Sequence, residues 1–190
     1  YVAGAAAVVH ETLFMPDSGT ARADFPGGSS VRLWRSIEAI LALPDDGRPL
    51  VVVGYSRGAA DGLEALATMP DLRARVVAFV AMAGTVNGSP LAEHVPAAAV
   101  NILRFLPGAT CELGNGRGVA ELRPSYRLGR RAALPPISSP PLYSLVTFVD
   151  RAEVSPILRP TWDVLARVDP RNDGQLLAWD QILPGSMLLG

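Results

Sequence analysis

Two apolar runs, "PLVVVG" (49–54) and "RVVAFVAMAG" (75–84), stand out along the chain. Neither alternates between apolar and polar positions. Both are short and bounded by turn residues, which predicts strands buried on both faces of a parallel sheet. A third run, "VAGAAAVV" (2–9), predicts an earlier strand. Between the runs the period changes. After the loop "MPDSGTARADFPGGSS" (15–30), Ser30 is placed to cap a helix over "VRLWRSIEAILAL", where Leu33, Ile37, Ile40 and Leu41 recur at helical spacing and "PDDGR" (44–48) ends the pattern. "RGAADGLEALATM" (57–69) predicts a second helix. Strand, helix, strand, helix, strand is the α/β pattern: a mostly parallel sheet flanked by helices.

Regularity stops near residue 90. Residues 90–141 are rich in proline, with several glycines and short amphipathic pieces such as "VPAAAVNILRFL". They predict a cap or lid inserted over the C-terminal edge of the sheet, within one domain spanning 1–190. "PLYSLVTFVD" (141–150) restores a strand, 154–168 predicts a helix blurred at its start by Pro156 and Pro160, and "DPRNDGQLL" (169–177) predicts a turn. "GSMLLG" (185–190) begins a last strand.

The chemistry concentrates where the strand at 49–54 meets the helix at 57–69. There the chain reads Gly54-Tyr55-Ser56-Arg57-Gly58, a Gly-x-Ser-x-Gly motif with a buried strand directly before it and a helix directly after. That is the context of a nucleophile elbow, in which a serine sits on a strained strand-to-helix turn with its hydroxyl clear of the sheet. Gly54 and Gly58 keep strand and helix free to approach. The turn aims the Arg57 backbone N–H and the helix N-terminus at the place where an oxyanion forms.

Three stretches resemble the α/β-hydrolases, and within them the bacterial lipases and esterases: "VVVGYSRGAADGLEAL", "VVAFVAMAGTVNGSPLAE" and "DPRNDGQLL". The resemblance implies a serine hydrolase that works on carboxylic esters through an acyl-enzyme, with Ser56 as nucleophile and Asp173 as acid, and it implies no cofactor. Asp150, at the end of the strand predicted at 141–150, is the alternative acid. Asp163 and Asp169 read as helix-surface and cap residues. The second stretch departs from the lipase form Thr-Pro-His-x-Gly-Ser by reading "GTVNGS", without Pro-His. No His-Gly oxyanion loop is evident either; "VVHETLF" is the nearest candidate and lacks the glycine.

A triad in the order Ser…Asp…His needs a histidine after the acid. The two histidines, His10 and His94, both precede Asp173. In the lipases this chain resembles, the base follows the acid by roughly twenty residues, which implies that it lies at or just past Gly190 and that the chain is a weakly active or inactive part of a hydrolase. The same frame accommodates a thioesterase or acyltransferase, or a non-catalytic protein binding a ligand or partner under its cap.

Composition narrows the partners. Net charge is −1 and all 17 basic residues are arginines, without the basic excess of a nucleic-acid binder. A small-molecule or lipid ester is the expected substrate. No apolar run reaches the roughly 20 residues of a membrane span. Cys111 is the single cysteine and reads as a small buried hydrophobe. No Cys/His cluster has zinc spacing, so no metal site is expected. "GNGRG" (114–118) lacks the lysine of a phosphate loop. "RPSYRLGRR" (123–131) places Arg123, Arg127 and Arg130 or Arg131 at helical spacing, a solvated face or a rim for an anionic group. Val100, Ile102, Leu103, Phe105 and Leu106 are candidates to line an acyl pocket or to pack on the sheet.

Overall fold

A computed structural model describes residues 49–94 and 120–189. The strand at 2–9, the helix at 31–43, His10, Cys111, "GNGRG" and the apolar piece at 100–106 lie outside the described residues.

Among the described residues, four strands form one parallel sheet in sequence order: β1 (Leu50–Tyr55), β2 (Val76–Met82), β3 (Leu142–Leu145) and β4 (Met187–Leu188). Val52 pairs with Phe79, Phe79 with Leu142, and Tyr143 with Met187. Between β1 and β2 run α1 (Arg57–Thr68) and the one-and-a-half-turn α2 (Pro70–Arg75). Then come α3 (Leu91–His94), α4 (Pro124–Ala133), a 3-10 turn at Pro156–Leu158 running into α5 (Arg159–Leu165), and a second 3-10 turn at Ala178–Gln181.

The core lies between α1 and one face of the sheet. Ala59, Leu63 and Leu66 pack with Phe79, Ala81 and Val86. The fit is tight enough that a Cβ on Gly62 would fall 2.7 Å from the Phe79 ring. Strands that follow one another in order, joined by right-handed crossovers, carry all their crossovers on one face. On the opposite face Val51, Val53 and Tyr55 are 58%, 53% and 63% exposed. This corrects the expectation that the strand at 49–54 is buried on both sides. β1 alternates after all, with Val52 and Gly54 inward.

Two other expectations change. The strand predicted at 141–150 ends at Leu145, because Thr147 turns its N–H to the Gln181 side chain instead of a neighbouring strand. The helix predicted at 154–168 divides into the 3-10 turn and α5. The last strand forms where it was expected, with β4 alongside β3.

The arginines of 123–131 do not form a solvated face. Arg127 is 4% exposed and its Nη2 reaches the Ala60 carbonyl at 3.5 Å. Arg130 pairs with Glu64, and Arg57 with Glu121. So side chains of α4 and of the turn before it reach α1 through charged and polar contacts. Burial lowers the Arg127 pKa, while Asp61 and Glu64 pull it back up.

Candidate active site at the C-terminal edge of the sheet

β1 ends in Gly54 and Tyr55, and the chain reverses into α1 through Ser56. Ser56 has φ 52° and ψ −120°, a left-handed conformation that a non-glycine residue holds only when its surroundings impose it. Three backbone bonds do so. Ser56 N–H donates to the Met82 carbonyl (3.0 Å), and the Ser56 carbonyl accepts from Ala59 N–H (3.1 Å) and Thr85 N–H (3.0 Å). The Ser56 hydroxyl makes no capping bond to α1, although Ser56 occupies the N-cap position. The side chain most suited to cap the helix is thus held off it.

Gly54 is required by close approach. A Cβ there would lie 2.6 Å from the Ala59 Cα and 2.7 Å from the Gly58 carbonyl oxygen. Gly58 is different, since a Cβ built on it meets nothing within 4 Å. Strand and helix touch at Gly54 and Ala59, so the steric reason given for Gly58 is corrected. Arg57 begins α1, and its side chain is drawn away along the helix by Asp61 (3.7 Å) and Glu121. Tyr55 is exposed beside the serine.

The neighbouring strand end is strained too. Ala83, directly after β2, has φ 45° and donates its N–H to the Leu145 carbonyl at 3.0 Å. No sequence signal marks this residue. The loop that follows carries "GTVNGS". Its Ser89 is buried and donates its hydroxyl to the Gln175 carbonyl at 2.6 Å, which ties the loop to the turn holding Asp173.

That turn is built from the Asn-Asp-Gly sequence. Asn172 is fully buried; its Oδ1 accepts from Gly174 N–H at 2.9 Å, and its Nδ2 donates to the Asp169 carbonyl at 3.2 Å. Gly174 takes φ 86°, which only glycine adopts at no cost. Asp173 Oδ1 accepts from the N–H groups of Gln175 (2.8 Å) and Leu176 (2.7 Å), and Oδ2 accepts from the Thr147 hydroxyl at 2.9 Å. Val149 N–H to the Asn172 carbonyl (3.1 Å) docks the turn beyond the C-terminal end of β3. Ser56 and Asp173 therefore both sit past the C-terminal ends of parallel strands, the edge where α/β sheets bind ligands.

The other aspartates lie in different surroundings. Asp150 is exposed, and its carbonyl accepts from Glu153 and Val154 in a surface turn. Asp163 pairs with Arg151 on the surface. Asp169 accepts from the backbone and side chain of Arg171, which holds its carboxyl below the usual range. Burial raises Asp180 to about 6. His94 is the last residue of α3, the short helix after the Ser89 loop.

Among the described residues, no group of three or more His, Cys, Asp or Glu is placed to hold a metal ion. No described helix is long and apolar enough to cross a membrane.

Known proteins relate to the chain in two ways. It matches no protein-family model. By sequence, it is 67% identical over 58 residues to a β-lactamase hydrolase-like protein of Agrobacterium fabrum, covering 30% of this chain and 14% of that protein. It is 65% identical over 40 residues to a probable metallo-hydrolase of Burkholderia pseudomallei, 21% of this chain and 14% of that one. By structure, it is similar to the metagenomic carboxyl esterase MGS0156, with a TM-score of 0.72 and 40% identity over 83% of this chain and 48% of the esterase. It is also similar in fold to the Bacillus licheniformis lipase BlEst2 in its mature form, with a TM-score of 0.59 and 19% identity over 84% of this chain and 60% of the lipase. The chain spans about half the length of the esterase and a small part of the curated relatives. Its parallel sheet and flanking helices are those of the α/β-hydrolase fold, and its structural neighbours are a carboxyl esterase and a lipase.

Proposed function

We propose that the chain carries the nucleophile and the acid of a serine hydrolase acting on carboxylic esters. The observation that carries this reading is Ser56, held by three backbone bonds at φ 52° between a parallel strand and a helix N-terminus, with its hydroxyl unused by the helix. The esterase neighbour supports it.

In the proposed reaction, Ser56 Oγ attacks the ester carbonyl carbon while its proton passes to an imidazole. The Arg57 N–H and the positive end of α1 stabilise the negative charge on the former carbonyl oxygen. Collapse expels the alcohol, which takes the proton from the imidazole. Water then cleaves the acyl-enzyme by the same route, releasing the acid and restoring Ser56. Asp173 orients the imidazole and stabilises its charged form. Tyr55, Gly54 and Gly58 complete the elbow.

A metal-dependent hydrolase is the second reading, favoured by the short sequence matches. The described residues supply no ligand set for it, so no step is routed through a metal. Turnover of a short p-nitrophenyl ester, together with labelling by a fluorophosphonate, separates the two. The serine reading expects label on Ser56, loss of both signals in Ser56→Ala by at least about a thousandfold, and no effect of a chelator. Chelator-sensitive turnover that survives Ser56→Ala overturns it.

A further inference from the structure

Around Asp173, the described hydrogen bonds divide its two oxygens between different tasks. Oδ1 accepts two backbone N–H groups of its own turn, from Gln175 and Leu176. Oδ2 accepts one bond, from Thr147 Oγ1 at 2.9 Å. An ionised carboxylate offers about four acceptor sites. The oxygen that fixes the turn is therefore filled by local backbone, and the other is oriented by a single hydroxyl with a lone pair to spare.

Thr147 is itself held. Gln181, fully buried on the 3-10 turn before β4, grips it from both sides. The Thr147 N–H donates to Gln181 Oε1 at 2.7 Å, and Gln181 Nε2 donates to the Thr147 carbonyl at 2.8 Å. Reversing the amide would set donor against donor and acceptor against acceptor, so these two bonds fix its orientation. Gln181 Oε1 also lies 3.2 Å from the Thr147 hydroxyl. That hydroxyl has one proton and two acceptors in reach. It goes to the nearer, charged one, since hydrogen bonds to an ionised acceptor are about twice as strong as neutral ones.

We infer that Thr147 and Gln181 are positioning residues for the acid. Gln181 locks the Thr147 backbone, and the Thr147 hydroxyl sets the carboxylate so that Asp173 Oδ2 is the oxygen that receives the imidazole N–H. This inference rests on the serine-hydrolase reading. It adds which oxygen faces the base and what aims it.

The clamp makes a clean test available. The two bonds between Gln181 and the Thr147 backbone do not use the hydroxyl, so Thr147→Val keeps them and the side-chain shape while removing the hydroxyl's contacts to Asp173 and to Gln181 Oε1. On the full chain with a short p-nitrophenyl ester, Thr147→Val lowers kcat roughly tenfold with KM unchanged. Thr147→Ser keeps kcat within about threefold of the parent chain. A poorly aimed carboxylate stabilises imidazolium less, so the acid limb of the kcat/KM profile moves to lower pH by about half a unit in Thr147→Val and stays in place in Thr147→Ser. Gln181→Leu, which releases the backbone, repeats the Thr147→Val shift. A purely structural role lowers the melting temperature and leaves the pH profile where it was; that result, or unchanged kcat in Thr147→Val, overturns the inference while Ser56 dependence stands. Turnover that is indifferent to Ser56→Ala removes the serine reading and this one with it.

Discussion

Two turns stand at the C-terminal edge of the sheet, and they are built in opposite ways. The Ser56 turn is strained in its backbone and unencumbered in its side chain. Three main-chain bonds to β2, α1 and the following loop hold φ at 52°, and the hydroxyl is left for other work. The Asp173 turn is relaxed in its backbone, with Gly174 taking the positive φ, and committed in its side chain, which accepts three hydrogen bonds. In the proposed reaction Ser56 has to change partners, so its position is best fixed through the main chain. Asp173, proposed to orient a base, has to stay still, so its side chain is best tied down.

This contrast predicts where each turn breaks. The elbow depends on backbone contact, and Gly54→Ala attacks it directly. The new Cβ would meet the Ala59 Cα, the Gly58 carbonyl oxygen and the Ala59 nitrogen, all between 2.6 and 2.8 Å. None of these can swing aside as a side-chain tip could, so β1 and α1 must separate. The expected cost is about 3 kcal/mol, read as a fall in the chemical-denaturation midpoint, with Ser56 labelling lost in parallel. Gly58→Ala is the control, with open space for its Cβ. It should shift the midpoint by no more than about 0.5 kcal/mol in either direction. Equal effects at the two glycines would mean that the elbow is not held by the approach at Gly54.

The difference between the turns also decides what could be read from the sequence. The Ser56 turn is sterics: a strand, the close approach at Gly54 and the serine follow one another in the chain, and "VVVGYSRG" states it locally. The acid turn is only half local. Asn172, Asp173 and Gly174 are adjacent and legible as a turn, but the hydroxyl on Asp173 comes from Thr147 and the grip on Thr147 from Gln181. No period or spacing links those three positions. Arg127 was misread for the same reason. Its helical spacing suggested a surface, while the acidic residues around it, Asp61 and Glu64, lie on a helix some sixty residues earlier in the chain. The helix α2, by contrast, carries a local signature in the sequence: Pro70 at its first position, Asp71 in its first turn, and Arg73 and Arg75 in its last. The over-long strand at 141–150 shows the limit of apolar patterning, which does not register that a buried glutamine has taken over the ladder's hydrogen bond.

Asn172→Ala tests the acid turn as Gly54→Ala tests the elbow, with a smaller effect. It removes the acceptor for Gly174 N–H and the donor to the Asp169 and Pro170 carbonyls from a fully buried site. The backbone groups left behind make this cost about 2 kcal/mol. The turn that presents Asp173 loosens with it, so the ester-hydrolase kcat falls while fluorophosphonate still finds Ser56. A denaturation midpoint unchanged within about 0.5 kcal/mol would show that the turn stands on Gly174 alone.

The smallest expected effect separates the acid turn from its neighbour Asp180, which burial raises to about 6. Its direction is opposite to that of a salt-bridged aspartate. Because the folded-state value lies above the ordinary aspartate value of 3.8, the folded protein binds the Asp180 proton more tightly than the unfolded chain does. That preference is fully present below about pH 4 and is lost as pH rises through about 6. Over this window Asp180 alone makes stability fall as pH rises. Asp180→Asn, which carries no titrating proton, removes that contribution and flattens the slope between pH 4 and 6, measured as the denaturation midpoint of each chain at several pH values. The elbow should be indifferent to the change, because the Asn87 N–H bonds the Asp180 backbone carbonyl, which the substitution leaves intact. A slope identical in the two chains would place the Asp180 carboxyl in water, and the 3-10 turn that carries Gln181 would then be less closely packed than the bonds to Thr147 require.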